Sequence, residues 1–218
     1  MNTLTKLALG MLGQLHGRPA TGEPLDEWQL PAAHTRGGLP LMEALRRRES
    51  RREFAPAPLA PQELSDLLWA VAGINRAGHG GRTAPSALNA QEVDLYVALP
   101  QGLYRYDAPR HVLLLMKAED VRRVTGYQDF VDTAPLDLIF VADHGRMKMV
   151  PADARASFAS VAAGAMAQNA YLWCASTGLA TVVRAWFDRT ALSRAMDLTP
   201  DQQILLTQTV GRARGPEA

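Results

Sequence analysis

Residues 154–177, ARASFASVAAGAMAQNAYLWCAST, read as one long helix that is apolar or small on nearly every side. Phe158, Val161, Ala162, Ala163, Ala165, Met166, Ala167, Tyr171, Leu172, Trp173 and Cys174 leave no wide polar stripe. A helix apolar all round has to be buried on most of its faces. In a chain of 218 residues it belongs at the centre of the fold or in a subunit interface, and its small residues suit close packing against another helix. A dimer is therefore expected.

Working outward, Gly178 closes the helix, Thr181 to Val183 reads as a short strand, Asp188 can cap a helix running through Met196, and Ile204 to Val210 makes a last strand. On the other side, Leu136 to Ala142 and Val112 to Met116 are short apolar runs bounded by polar or proline residues, which suits buried strands. Val93 to Leu99 alternates with Val93, Leu95, Val97 and Leu99 on one face; Gln101-Gly102 then turns the chain into Leu103 to Tyr106, a hairpin. Two helices come earlier. Pro61 opens one in which Leu64, Leu67, Leu68 and Val71 share a face and Gly73 is the stop. Leu41, Met42 and Leu45 mark another, which runs into the basic string 46–52. Residues from Gly17 to Gly38 have no period and read as an extended arm anchored at Trp28 and Leu30. The expectation is an α+β fold with a mixed sheet flanked by helices, one domain over 39–218 behind an arm over 1–38.

Composition narrows the functions. Lys and Arg number 23 against 22 acidic residues, a net charge of +1, so there is no broad basic field for nucleic acid. The single cysteine, Cys174, cannot form an internal disulfide, as expected of a reducing compartment, and mid-helix among apolar neighbours it reads as an inert thiol. No window is apolar for long enough to span a membrane. Leu4 to Leu15 is apolar behind Lys6 but diluted by Gly10 and Gly13, with no small-x-small cleavage site; a cytoplasmic protein is expected, with an export signal the lesser alternative.

Hydrolytic and metal chemistry find little support. There is no Gly-x-Ser-x-Gly elbow, and histidines 16, 34, 79, 111 and 144 never reach ligand spacing; His111 reads as a surface residue flanking a strand. Gly78-His79-Gly80-Gly81 lacks the features of a P-loop or dinucleotide fingerprint and reads as a flexible loop. Two stretches remain. Arg48, Ser50 and Arg52 place two guanidinium forks and a hydroxyl within five residues, a match for a phosphate, although spacing alone favours a solvated basic helix end. Arg82-Thr83-Ala84-Pro85-Ser86-Ala87-Leu88-Asn89-Ala90-Gln91 offers a hydroxyl, two amides and exposed backbone, a ligand loop or an ordinary turn.

In order along the chain these segments resemble the flavin-dependent nitroreductase family, and within it the SagB-type dehydrogenase branch. The likeness is carried by Trp28-x-Leu30-Pro31, Arg48-x-Ser50-Arg51-Arg52-x-Phe54, Leu64-x-x-Leu67-Leu68-Trp69-Ala70 with Gly73-Ile74, and Arg82-Thr83-Ala84-Pro85-Ser86-Ala87. It continues through Gly102-Leu103-Tyr104-Arg105-Tyr106-Asp107, Gly164-x-x-x-Gln168-Asn169-x-Tyr171-Leu172, Gly178-Leu179 and Phe187-Asp188. The resemblance implies a nitroreductase-like fold with a mostly antiparallel sheet, built as an intertwined homodimer with FMN at the interface and each site drawn from both chains. It implies that Arg48, Ser50 and Arg52 hold the ribityl phosphate, and that Pro85, Ser86, Ala87, Asn89 and Gln91 line the ring and ribityl chain. Ala185 and Trp186 would come to flavin N5, with the Ala185 N–H as donor, and Arg212 or Arg214 would add a cation at the phosphate. Arg82 and Arg184 are candidates for the cation near flavin N1 and O2.

The activity implied is FMN-dependent NAD(P)H oxidoreduction, in which hydride passes through N5 by a ping-pong sequence to nitroaromatics or quinones. Two alternatives stay open: a SagB-type dehydrogenase of a peptide-derived heterocycle or biosynthetic intermediate, and a flavin-binding dimer without catalysis. The SagB-like oxidases use a Lys-Tyr pair as base, and none of Lys6, Lys117 and Lys148 is followed by tyrosine. Glu49, inside the arginine motif, would repel a phosphate unless paired with a neighbouring arginine. The substrate pocket is expected around Gly126 to Val131 and Trp186.

Overall fold

A computed structural model describes residues 23–214. The stretch Leu4 to Leu15 and the first 22 residues of the expected arm lie outside them.

The frame is a seven-stranded sheet. In chain order its strands are β1 (Asp26–Gln29), β4 (Val93–Leu99), β5 (Gly102–Asp107), β6 (Val112–Lys117), β7 (Leu136–Asp143), β8 (Leu179–Arg184) and β9 (Gln202–Arg212); β2 (Ile74–Arg76) and β3 (Gly81–Arg82) form a separate small hairpin. The order across the sheet is β1-β6-β5-β4-β7-β9-β8, and every neighbouring pair is antiparallel. The helices are α1 (Leu41–Arg47), α2 (Pro61–Ala72), α3 (Ala152–Thr177) and α4 (Arg189–Ala195).

Alternation along β4 distributes side chains to two cores. Val93, Leu95, Val97 and Leu99 join Leu64, Leu67 and Leu68 of α2 and the alanine-rich side of α3. Tyr96 and Ala98 point the other way, into a second core with Ile139, Phe187, Leu192 and Ile204 beneath α4. Sequence alternation predicts a one-sided strand; here both sides are buried because α4 covers the face that would otherwise meet water. The expected boundaries hold closely at α2, where Pro61 opens the first turn and the Gly73 N–H returns to the Trp69 carbonyl.

Two expectations gain detail and one is corrected. The arm contributes β1 as an edge strand, its Trp28 meeting Tyr104 edge to face at 6.1 Å and its Glu27 paired with Arg110 at 2.5 Å. Asp-Glu-Trp-Gln is too short and polar to show a strand by period; backbone pairing with β6 makes it one. Gly78 to Gly81 is part of the β2–β3 connection, with Gly80 at φ 60° in the left-handed region. His111 is half-buried and ties the arm to the body: its Nδ1 lies 2.7 Å from the Tyr106 hydroxyl and its Nε2 2.7 Å from Ser65 Oγ, which donates to the Pro31 carbonyl.

The long helix is centrally placed but not enclosed within one chain. Ala159, Ala163, Met166, Ala170 and Cys174 face the sheet, while Phe158 and Val161, the latter 70% exposed, line the opposite side. On α1 only Ala44 is buried, and Leu41, Met42 and Leu45 are exposed.

Candidate functional site

The basic string leaves α1 and runs as an extended segment across the β8 edge of the sheet. The Arg51 N–H donates to the Thr181 carbonyl at 3.0 Å, Ala55 N–H to Arg212 at 2.9 Å, and Phe54 makes an antiparallel bridge with Ala213. Phe54 is buried and packs against Phe130, the rings tilted at 51° with centroids 5.2 Å apart, which anchors the segment. The backbones close up here: a Cβ on Gly211 would come 2.7 Å from Pro135 and 3.3 Å from Phe54.

Charge pairing sorts the arginines. Glu43 binds Arg46 at 2.6 Å and Arg47 at 2.5 Å, and the hydrogen bond from Arg46, followed by that from Arg47, holds the Glu43 carboxyl down at about 2. Glu49 binds Arg51 at 2.6 Å, so its charge is matched within the segment. Among the described residues Arg48 and Arg52 have no ion pair. The cavity of about 330 Å³ beside the C-terminal turn of α3 is lined by Arg46, Arg47 and Arg51, which already have glutamate partners, Arg46 and Arg47 sharing Glu43. Arg52 lines a different one of about 430 Å³, with Glu53, Ala213 and Arg214. Of the two carboxyl-terminal candidates, Arg214 thus lies beside Arg52, whereas Arg212 donates to Glu63 at the start of α2 at 2.7 Å.

Ser50 and Arg48 meet at Tyr171 of α3. The Ser50 hydroxyl is 2.7 Å from the Tyr171 hydroxyl, the Arg48 guanidinium sits 5.4 Å from the Tyr171 ring centroid, and the Val183 N–H donates to the Tyr171 oxygen at 3.0 Å. Tyr171 stood in the sequence as a helix residue and a member of one resembling motif, with no role assigned; that role depends on Ser50, 121 positions away in the chain.

The second candidate stretch is a strained, internally bonded loop. Leu88, Asn89 and Gln91 have φ of 55°, 52° and 50°, a conformation costing about 1–3 kcal/mol each for residues with a Cβ. Ser86 helps to hold it: its carbonyl accepts from Asn89 N–H at 3.2 Å and its Oγ from Gln91 N–H at 3.0 Å, leaving the hydroxyl proton available. The buried Gln91 side chain donates to the Gly80 carbonyl at 2.7 Å and accepts from Arg82 at 3.1 Å. Arg146 binds the Gln91 carbonyl at 2.9 Å and Asp94 at 2.5 Å, a brace with no signal in the sequence near the loop. Burial lowers the Arg82 guanidinium, against the opposing pull of Asp94. No hydrogen bond, ion pair or ring contact joins Pro85, Ser86 or Ala87 to Arg48, Ser50 or Arg52 within the chain.

The third stretch follows β8. Arg184 is corrected from candidate ligand to core element: it is buried, bonded to Asp137 at 2.7 Å, Thr209 at 2.5 Å and Thr207 at 3.1 Å. Immediately after it the chain emerges. The Ala185 carbonyl accepts from Arg189 at 2.9 Å, and Trp186 is 80% exposed, edge to face with Tyr127 at 6.1 Å. Tyr127 and Trp186, expected around one pocket, are thus brought together. Cys174 is buried and its thiol is pushed up by desolvation, which leaves no thiolate near neutral pH. Among the described residues no helix is long and apolar enough to cross a membrane.

Residues 45–212 match the family model of the Nitroreductase family. A crystal structure of a protein assigned as a nitroreductase from Ralstonia eutropha JMP134 is 53% identical, covering 92% of this chain and 96% of its own, with a TM-score of 0.84. The nitroreductase-assigned protein MJ1384 of Methanocaldococcus jannaschii is 33% identical over 159 residues, 68% of this chain and 80% of its own. The NADPH:FMN oxidoreductase of Vibrio harveyi, solved with NAD+, shares the fold at a TM-score of 0.60 and 19% identity, covering 82% of this chain and 71% of its own.

Proposed function

The chain belongs to the Nitroreductase family, and on that premise we propose that it is an FMN-dependent NAD(P)H oxidoreductase that works as a homodimer and reduces small conjugated acceptors such as nitroaromatics and quinones. One observation carries the reading: Arg48 and Arg52, flanking Ser50, are cations without carboxylate partners in a string whose other arginines are all paired. A dianionic phosphate supplies the missing charge and accepts from both guanidinium forks.

Bound FMN would supply the hydride-carrying centre, which is why no triad or metal set is required of the protein. Arg48, Ser50, Arg52 and Arg214 would hold the phosphate, and Pro85, Ser86, Ala87, Asn89 and Gln91 would line the ribityl chain and ring. The lack of direct contact between these two groups within one chain suits a seat drawn from two. The exposed apolar sides of α1 and α3, at Met42, Phe158 and Val161, suit the dimer that would bring them together. The Ala185 N–H would lie at the reacting edge, on a backbone fixed by Arg189 and by the buried Arg184. The exposed rings of Tyr127 and Trp186 would present an aromatic platform for a flat acceptor.

Reduction is favoured over heterocycle oxidation because none of Lys6, Lys117 and Lys148 is followed by a tyrosine. Lys117 is bound to Asp197 at 2.9 Å and to the Ala195 carbonyl at 3.0 Å, which does not leave it as a base. Purified protein is expected to show flavin absorbance or to take up added FMN, to be bleached anaerobically by NADH or NADPH, and to pass the electrons to a quinone. Protein that never takes up flavin refutes the reading, and flavin that nicotinamides cannot reduce refutes the activity.

A further inference from the structure

The Ser50 hydroxyl is not a free rotor. Tyr171 is 7% exposed, and its hydroxyl has one proton and two lone pairs. One lone pair takes the Val183 N–H at 3.0 Å, and the only other polar partner among the described residues is Ser50 Oγ at 2.7 Å. A buried hydroxyl proton without an acceptor is costly, so the Tyr171 proton goes to Ser50 Oγ. With its oxygen accepting from Tyr171, Ser50 keeps its own proton for an outward donor bond. We propose that Tyr171 is a positioning residue that sets Ser50 as a hydrogen-bond donor to the ligand's phosphate and ties that end of the seat to the β8 backbone at Val183.

This rests on the phosphate reading above and adds to it. Val183 lies two residues before Ala185, so the same hydroxyl fixes the segment for the phosphate and the strand leading to the backbone assigned to the reacting edge. The Tyr171 ring under Arg48, 5.4 Å from centroid to guanidinium, holds one of the unpaired cations on the same side chain. Loss of the hydroxyl alone, in Tyr171→Phe, leaves that ring in place and removes the relay.

The test is the dissociation constant of the full-length apoprotein for FMN against riboflavin, which lacks the phosphate. Tyr171→Phe is expected to weaken FMN about fivefold and riboflavin less than about twofold, Ser50→Ala about tenfold on FMN alone, and the double variant no more than Ser50→Ala. In the converse direction, 3-fluorotyrosine at position 171, a stronger donor of nearly the same size, raises the FMN preference. Equal weakening of FMN and riboflavin by Tyr171→Phe, a fully additive double variant, or an FMN preference unmoved by 3-fluorotyrosine overturns the relay. If the unmodified protein binds riboflavin as tightly as FMN, or if Arg48→Ala does not weaken FMN, the phosphate reading itself fails, and the relay with it.

Discussion

Arg184 and the pair Arg48 and Arg52 are the same side chain in opposite circumstances. Arg184 is buried between β7, β8 and β9, where Asp137 matches its charge and the hydroxyls of Thr125, Thr207 and Thr209 take its remaining donors. Arg48 and Arg52 lie on an extended segment at the surface, their neighbours paired with Glu43 and Glu49 and they themselves with no carboxylate. An arginine whose donors are met within the fold is architecture; one left with donors unmet beside a serine is ready for a ligand. Both come from sequence that reads as basic or strand-end residues, so residue type alone does not separate them.

The largest expected effect breaks the buried side. Asp137→Ala leaves Arg184 as an uncompensated buried cation and is expected to cost about 3–5 kcal/mol in urea denaturation, with the same loss in apoprotein and flavin-loaded protein. A loss below about 1 kcal/mol would show that water or another group can take over from the carboxylate. Next comes the surface side: Arg48→Ala and Arg52→Ala are each expected to weaken FMN by about 1.5–3 kcal/mol while moving apoprotein stability by no more than about 0.5 kcal/mol. A large fall in apoprotein stability would make these arginines structural and erase the contrast.

A smaller effect concerns pH. Burial lowers the His111 imidazole below its ordinary value, against the Pro31 carbonyl and Asp66, which raise it. The neutral ring is therefore the stabilising form. Its contribution is present above about pH 6.5, the ordinary histidine value, and is lost as pH falls through the lowered folded value. Melting temperature measured against pH should decline on the acid side for the native protein, and His111→Gln should flatten that slope. The smallest change sharpens the surface comparison: Glu49→Gln releases Arg51 from its ion pair and is expected to tighten FMN by less than about 1 kcal/mol, an effect that disappears in high salt. Tighter binding that persists in salt would mean that Glu49 meets the ligand directly.

Much of the frame was legible because its signals are local. The stop at Gly73, the hairpin turn at Gln101-Gly102, the cap at Asp188, whose side chain accepts from the Ala191 N–H, and the length of α3 each follow from residues a few positions apart. Strand β1 was not legible, because four largely polar residues become a strand only when β6 offers its edge. His111 read as surface for the same reason: its partners Ser65 and Tyr106 come from α2 and β5.

By itself the sequence determined the kinds of group available for function: a serine between arginines, a Pro-Ser loop, an apolar helix with a small-residue face, and an order of segments that resembles one family. The tertiary structure decided which of those groups were left with valences to offer. It matched Arg46, Arg47 and Arg51 to glutamates and Arg184 to Asp137, turned Arg212 toward Glu63, and set Ser50 against Tyr171. Hydrogen bonds and ion pairs act over about 3 Å of space, whatever their separation along the chain, so availability is a property of the fold.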